Sequence, residues 1–69
     1  MTQKELSYVE DAIGHEGNLI KILEETKKNL EGENLVNFID NEINSHTSIK
    51  ERIMTILEEK AHEWSIING

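Results

Sequence analysis

Glu10-Asp11-Ala12-Ile13-Gly14-His15-Glu16 is the stretch that decides how the rest of the chain is interpreted. It lies inside a long segment whose apolar residues recur every three to four positions, which is typical of one face of a helix. Glu16 falls near the centre of that apolar face, and His15 lies at its edge. The stretch therefore predicts a helix that carries a carboxylate among its packing residues.

The first helix is predicted to span about residues 3–31. Thr2 is followed three positions later by Glu5, which is the pattern of a capping box, so the helix should begin near Gln3. Its broad apolar face suits a helical bundle. That face consists of Leu6, Val9, Ile13, Ile20, Leu23 and Leu30, flanked by Tyr8, Ala12, Leu19 and Ile22.

A short connection follows the first helix. Lys27 and Lys28 favour a helix end here, because cations stabilise the negative end of the helix dipole. Gly32 suits the left-handed conformation that often follows a helix, and the cap of the next helix is expected among residues 32–34. A short link between long helices implies antiparallel neighbours.

A second helix is predicted over about residues 34–65, and it carries a polar pair of its own. Glu42 and His46 are one helical turn apart and fall near the middle of its apolar face. Each predicted helix therefore places charged side chains where apolar packing residues are expected. The apolar face consists of Leu35, Phe38, Ile39, Ile43, Ile49, Ile53, Ile56, Leu57 and Trp64.

A break in the second helix near residue 46 is the alternative. Residues 45–48, Ser-His-Thr-Ser, are weak helix formers, and Ser48 with Glu51 repeats the capping-box pattern. The apolar phase nevertheless continues through this stretch, and no Gly or Pro is present to turn the chain. The pattern favours one uninterrupted helix.

The polar residues of the two helices are expected to meet. In a hairpin whose turn centres near residue 32, Glu16 lies level with His46, and Glu42 lies about one turn away at about 1.5 Å per residue. A two-helix hairpin has one contact surface, whereas both helices have broad apolar faces. The predicted fold is therefore all-α: residues 1–69 form a single antiparallel two-helix hairpin that dimerises with twofold symmetry into a four-helix bundle.

The polar layer has two interpretations. In the first, Glu16 accepts a hydrogen bond from the His46 imidazolium, and the layer sets the register of the helices. In the second, the two copies of Glu16, Glu42 and His46 in a dimer bind Fe, Mn or Zn, as in carboxylate-bridged dimetal bundles. The Glu42-x-x-x-His46 spacing departs from the Glu-x-x-His spacing of those sites. His15 is a further candidate metal ligand, and a surface contact with Asp11 is its alternative role.

Flanking glycines make the same stretch unusual. Gly14 and Gly17 each cost a helix about 1 kcal/mol relative to alanine. We expect another helix or a ligand to approach closely there; the alternative is that a long, well-packed helix tolerates them.

Length, cysteine content and charge exclude several classes of protein. The chain has 69 residues, no cysteine and a formal net charge of −7. Disulfides and thiolate metal sites are excluded, and so short a chain rarely buries enough apolar surface alone, which favours self-association. An acidic chain without a basic face is not expected to bind nucleic acid or an anionic membrane. Without an apolar signal or spanning segment, a cytoplasmic location is expected.

No catalytic pattern is found in the sequence. Residues 15–19 lack the second histidine of a zinc-protease helix, and the chain has neither a glycine-rich phosphate loop nor a cysteine nucleophile. Ser45, Thr47 and Ser48 near His46 are better explained as helix hydroxyls than as members of a catalytic triad. The chain is therefore expected not to be an enzyme.

Residues 4–16, Lys-Glu-Leu-Ser-Tyr-Val-Glu-Asp-Ala-Ile-Gly-His-Glu, resemble the opening of small clostridial and bacillar proteins of the spore coat F type, which are grouped with ferritin-like bundles. The pattern of that family is similar to Glu-Leu-x-Tyr-x-Glu-Asp-Ala-x-Gly-His-Glu. Leu35, Phe38 and His46 also fall where the family has a leucine, a hydrophobic residue and a histidine. The resemblance covers about residues 4–57.

The resemblance implies a ferritin-like, self-associating helical protein of spore-forming bacteria, with a homodimer and other coat or sporulation proteins as expected partners. The chain departs from the family in having Gly32-Glu33 where Asp-Pro is frequent, and in lacking a glutamine-rich, aromatic second helix. The resemblance implies neither a catalytic activity nor a metal. The expected function is that of a non-catalytic structural or interaction protein, cytoplasmic or spore-associated; a metal-binding ferritin-like bundle is the alternative.

Overall fold

The computed structural model describes the backbone of residues 1–68 and the side chains of residues 1–60. Over this part, the chain forms two packed α-helices and no strand: α1 spans Gln3–Lys28, and α2 spans Glu33–Asn68. The hairpin is 53 Å long and 16 by 13 Å across. No helix within the described residues is long and apolar enough to cross a membrane. The predicted all-α fold is confirmed; Trp64, predicted on the apolar face of α2, lies outside the described side chains.

The start of α1 is as predicted. The Thr2 hydroxyl accepts a hydrogen bond from the Glu5 backbone N–H at 3.0 Å, and the Thr2 backbone N–H donates to Glu5 Oε1 at 2.8 Å. Two N–H groups that have no partner within the helix are thereby satisfied. The hydrogen bond from the Thr2 backbone, followed by that with its side chain, lowers the pKa of the Glu5 carboxyl, because both favour the charged form.

The end of α1 differs from the prediction, because α1 ends at Lys28 rather than near residue 31. Asn29 caps the helix: its backbone N–H donates to the Thr26 carbonyl at 3.0 Å, and its side-chain amide donates to the Glu25 carbonyl at 3.0 Å. The prediction that Gly32 adopts a left-handed conformation is wrong, since no residue in the described part has a positive φ. Asn29 closes the last turn, so no left-handed glycine is needed.

α2 is longer than predicted at both ends. The Gly32 carbonyl accepts from the Val36 N–H at 3.0 Å, so Gly32 occupies the N-cap position and the helix begins at Glu33. α2 ends at Asn68, beyond the predicted end near residue 65. α2 therefore extends over the full length of the hairpin.

α2 is continuous through residues 45–48, so the alternative of a break near residue 46 is wrong. His46 and Thr47 in this stretch are half-buried and face α1. Contacts with α1 therefore outweigh the weak helix propensity of these four residues.

The helices run antiparallel and pack along one seam. Near the turn, Lys27 Nζ lies 2.7 Å from Asp40 Oδ1, and farther from the turn Glu16 contacts His46. The apolar seam residues are half-buried, and none of residues 1–60 is fully buried. One hairpin thus has a contact surface but no core that shields a side chain from water. The seam comprises Leu6, Val9, Ile13, Ile20 and Leu23 in α1 and Val36, Ile39, Ile43, Ile53 and Leu57 in α2.

A second apolar face lies beside the seam and is exposed. At about 100° per residue, its positions on the two antiparallel helices are displaced from the seam toward the same side of the hairpin. The relative accessibilities of its residues run from 39% to 61%. It is termed the open face and comprises Tyr8 and Ile22 of α1 with Leu35, Phe38, Ile49 and Ile56 of α2.

Candidate functional site

The hairpin brings together the charged residues that sequence analysis placed on its two apolar faces. Glu16 Oε2 lies 2.7 Å from His46 Nδ1. The two side chains are 21% and 23% exposed, so the contact lies at the edge of the seam rather than in bulk solvent. The prediction that Glu16 and His46 are level in the hairpin is confirmed.

Glu42 extends this contact away from the seam. Glu16, His46 and Glu42 together are termed the polar row. Glu42 Oε2 lies 3.7 Å from His46 Nε2, and the Glu42 side chain is 41% exposed. Hydrogen bonds from N–H to oxygen span about 2.7–3.2 Å, so this contact is electrostatic and not a hydrogen bond. Glu42 follows Phe38 by one turn and precedes Ile49 by about two turns, so the row leads from the seam to the open face.

The imidazole of His46 lies between two carboxylates, and this determines which ring nitrogen must carry a proton. An ionised carboxylate only accepts hydrogen bonds, so Nδ1 carries the proton that is directed at Glu16. Nε2 then presents to Glu42 either a second N–H or the lone pair of a neutral ring. The row can therefore serve as an ion-paired contact, or His46 and Glu42 can serve as a pair of metal ligands.

A single chain does not complete a metal site from these residues. Over the part of the chain that the structure describes, no group of three or more His, Cys, Asp or Glu side chains is arranged to hold a metal ion. Glu16, Glu42 and His46 lie in one row, with the carboxylates on opposite sides of the ring. The ligand set predicted from the sequence depends on a dimer and stays a prediction.

His15 is not part of the polar row. It is exposed on α1, and within the described structure it forms neither a hydrogen bond nor an ion pair with Asp11. By its helical position it lies on the open face, between Tyr8 and Ile22 and seven residues from each. Its role as a ligand stays a prediction.

Gly17 and Gly14 have different surroundings. A Cβ at Gly17 would lie 3.4 Å from Lys50 Nζ, so the Lys50 side chain crosses α1 at this glycine. No atom lies within 4 Å of a Cβ at Gly14. The predicted close approach is confirmed at Gly17, where a side chain of α2 makes it; at Gly14 no part of the hairpin makes one, and an approach by a ligand or a second copy stays a prediction. Lys50, one turn after His46, is the residue of this region that sequence analysis missed.

Comparison of the chain with protein-family models, with characterised proteins and with solved structures gave no match. The likeness of residues 4–16 to spore coat F proteins therefore rests on the motif alone. Function has to be argued from the faces and charges of the hairpin itself.

Proposed function

We propose that this protein is a non-catalytic structural protein that self-associates through its open face into a four-helix bundle. The observation that carries this proposal is the lack of a core in one hairpin: none of residues 1–60 is buried, and six large apolar residues lie exposed on one side. Partial burial in so short a chain gains too little to offset the conformational entropy that is lost on folding.

The accessible surface supports a partner of similar size. A compact monomer of 8.0 kDa exposes about 4,500 Å², whereas this chain exposes 5542 Å². The excess of about 1,000 Å² is close to the roughly 800 Å² that each partner buries in a stable interface. The Cα radius of gyration is 16.1 Å, compared with about 11 Å for a compact domain of this length. One hairpin is thus too extended to be a complete globular unit.

A second copy of the chain is the simplest partner. A twofold interface pairs the open face with itself and closes, so that this face is not available for further growth. The exposed outer faces carry most of the 14 acidic residues, which keep such a bundle soluble through charge repulsion. The polar row would then set the register of the helices within each hairpin.

A role in sporulation is the second part of the proposal. It is supported by the resemblance of residues 4–16 to small spore coat F proteins. Other coat or sporulation proteins are the expected further partners. Fluorescence microscopy of the tagged protein in the producing bacterium tests this part: signal around the developing spore is expected, and signal confined to cells that do not sporulate would contradict it.

Sedimentation equilibrium of the full chain at several concentrations tests the self-association. We expect a mass of twice 8.0 kDa, with helix content rising together with the dimer fraction. A fully helical monomer that persists at every concentration would contradict the proposal.

A further inference from the structure

We propose that the dimer binds one Zn²⁺ ion through His46 Nε2 and Glu42 of both copies, and that Glu16 positions the His46 ring without being a ligand. This inference rests on the proposed self-association, because one chain supplies only two of the four ligands.

The distance between His46 Nε2 and Glu42 Oε2 is close to the distance between two ligand atoms that bind the same metal ion. At 3.7 Å it is too long for a direct hydrogen bond. It is also too short for a bridging water, which would hold the two atoms roughly 4.5 Å apart. Two ligands bound tetrahedrally to Zn²⁺ at 2.0–2.2 Å lie about 3.4 Å apart. A shift of a few tenths of an ångström would therefore allow both atoms to coordinate one ion.

Glu16 already makes the contact that a metal-binding histidine needs. A histidine ligand commonly donates its other ring N–H to a carboxylate or carbonyl, which fixes the tautomer and the orientation of the ring. The 2.7 Å contact between His46 Nδ1 and Glu16 Oε2 is such a contact, and it leaves Nε2 as the ligand atom. Glu16 lies at the seam, on the opposite side of the ring from Glu42.

The row needs a positive charge between the ring and Glu42. Without one, the Nε2 lone pair of a neutral ring faces a carboxylate oxygen, which is repulsive. Glu42 is flanked along α2 by Phe38 and Ile49 of the open face, so a second copy would remove water from its carboxylate. Desolvating two unpaired carboxylates is costly, and one divalent cation bound by both would neutralise them.

The donor set selects the kind of metal. Two imidazole nitrogens and two carboxylate oxygens form a closed, four-coordinate set that suits Zn²⁺ in a structural site. Mg²⁺ prefers six oxygen ligands in near-octahedral geometry and is not expected to bind. The twofold axis would pass beside the row, so that each ligand is supplied twice.

The test uses the full chain, stripped of metal with a chelator and titrated with Zn²⁺, with Mg²⁺ as the negative control. Co²⁺ serves as a spectroscopic probe, because its visible absorption distinguishes tetrahedral from octahedral coordination. We expect one ion per two chains, a tetrahedral Co²⁺ spectrum and a dimer dissociation constant at least tenfold lower with Zn²⁺ than without it.

Three variants separate the roles of the side chains. Glu42→Gln should lose binding, because a ligand is removed from each chain. Glu16→Gln should retain one ion per dimer while its affinity falls about 10–100-fold, as expected for a residue that orients a ligand. Glu51→Gln is the matched control and should bind like the parent, because Glu51 is exposed on α2 and faces away from both the seam and the open face. Circular dichroism of each variant checks that its helices are formed.

The outcomes distinguish this inference from the proposed function. If sedimentation gives a dimer but neither Zn²⁺ nor Co²⁺ binds, self-association stands and the zinc site is overturned. If two ions bind per dimer and Glu16→Gln abolishes binding, Glu16 is itself a ligand and the assignment is wrong. If no dimer forms with or without metal, the proposed function fails first.

Discussion

The seam and the open face of this hairpin are built from the same kinds of residue, yet only the seam is covered. Ile39 and Ile43 of α2 are half-buried against α1, whereas Phe38 and Ile56 of the same helix are 58% and 52% exposed. Both sets recur at helical spacing. Periodicity therefore identifies the residues that favour burial but not the element that buries them.

The polar row connects these two regions. Glu16 and His46 lie at the edge of the seam, and Glu42 lies at the edge of the open face. A change in the row is therefore expected to alter both the packing within a hairpin and the association of two hairpins. Substitutions on the open face, in the row and in α1 separate these effects.

Placing a charge on the open face should have the largest effect. Phe38→Glu is expected to raise the dimer dissociation constant at least about 100-fold, or about 2.7 kcal/mol, because it buries a charge in an apolar interface. Asn44→Glu is the matched control, since Asn44 is also exposed on α2 but faces away from the open face. Its effect should be less than about twofold in sedimentation equilibrium. Equal effects of the two substitutions would mean that the open face is not the interface.

Removing the histidine of the polar row should have the next largest effect. His46→Ala is expected to lower the free energy of unfolding by about 1–2 kcal/mol, because it leaves the half-buried Glu16 carboxylate without its partner. Asn44→Ala gains a similar helix propensity at an exposed position that faces away from both the seam and the open face, and it should not lower stability. Urea unfolding measures both. A neutral His46→Ala would show that the row does not stabilise the seam.

The two glycines of α1 should respond differently to alanine. Gly14→Ala is expected to raise the free energy of unfolding by about 1 kcal/mol, because alanine favours the helix and a Cβ there meets open space. Gly17→Ala should gain less, since its Cβ would lie in van der Waals contact with Lys50 Nζ, at 3.4 Å, and displace water from the ammonium group. Thermal and urea unfolding of the two variants provide the comparison. A loss of stability in Gly14→Ala would instead reveal a partner that packs closely on that side.

The cap of α1 lies outside both faces, and lowering the pH should have the smallest effect there. The pKa of Glu5 is lowered in the folded chain, so this residue contributes stability above its unfolded pKa and loses it as the pH falls through the folded value. The protection of the first-turn amides of α1 against exchange, relative to their intrinsic rate at each pH, should therefore fall at a pH below about 4.5. Glu5→Gln should remove this dependence. A first turn that acidification leaves equally protected in the parent chain would argue against the capping box.

The features predicted correctly from the sequence depend on local pattern or on helix rise. The capping box of Thr2 and Glu5 is encoded within four residues, and the level of Glu16 with His46 follows from 1.5 Å per residue and a short turn. The left-handed Gly32 was predicted from a statistical preference. It was wrong because the Asn29 amide caps the last turn instead.

The remaining features depend on packing that the pattern does not encode. Lys50 crosses α1 at Gly17 because of the orientation of a long side chain, which spacing alone does not predict. The sequence likewise placed Phe38 and Ile56 on the same broad apolar face as Ile39 and Ile43, because the wide apolar arc of a bundle helix spans the roughly 100° between consecutive positions. Only the position of α1 beside α2 shows which of them is left uncovered.

Urea unfolding at protein concentrations spanning about 100-fold, followed by circular dichroism, tests the central claim that the open face requires a second copy. If folding and association are coupled, the unfolding midpoint rises with protein concentration, because each folded dimer forms from two unfolded chains. We expect that rise, together with a loss of helix at the lowest concentrations. A midpoint that does not depend on concentration, with full helix content throughout, would contradict it and establish the single hairpin as the folded unit.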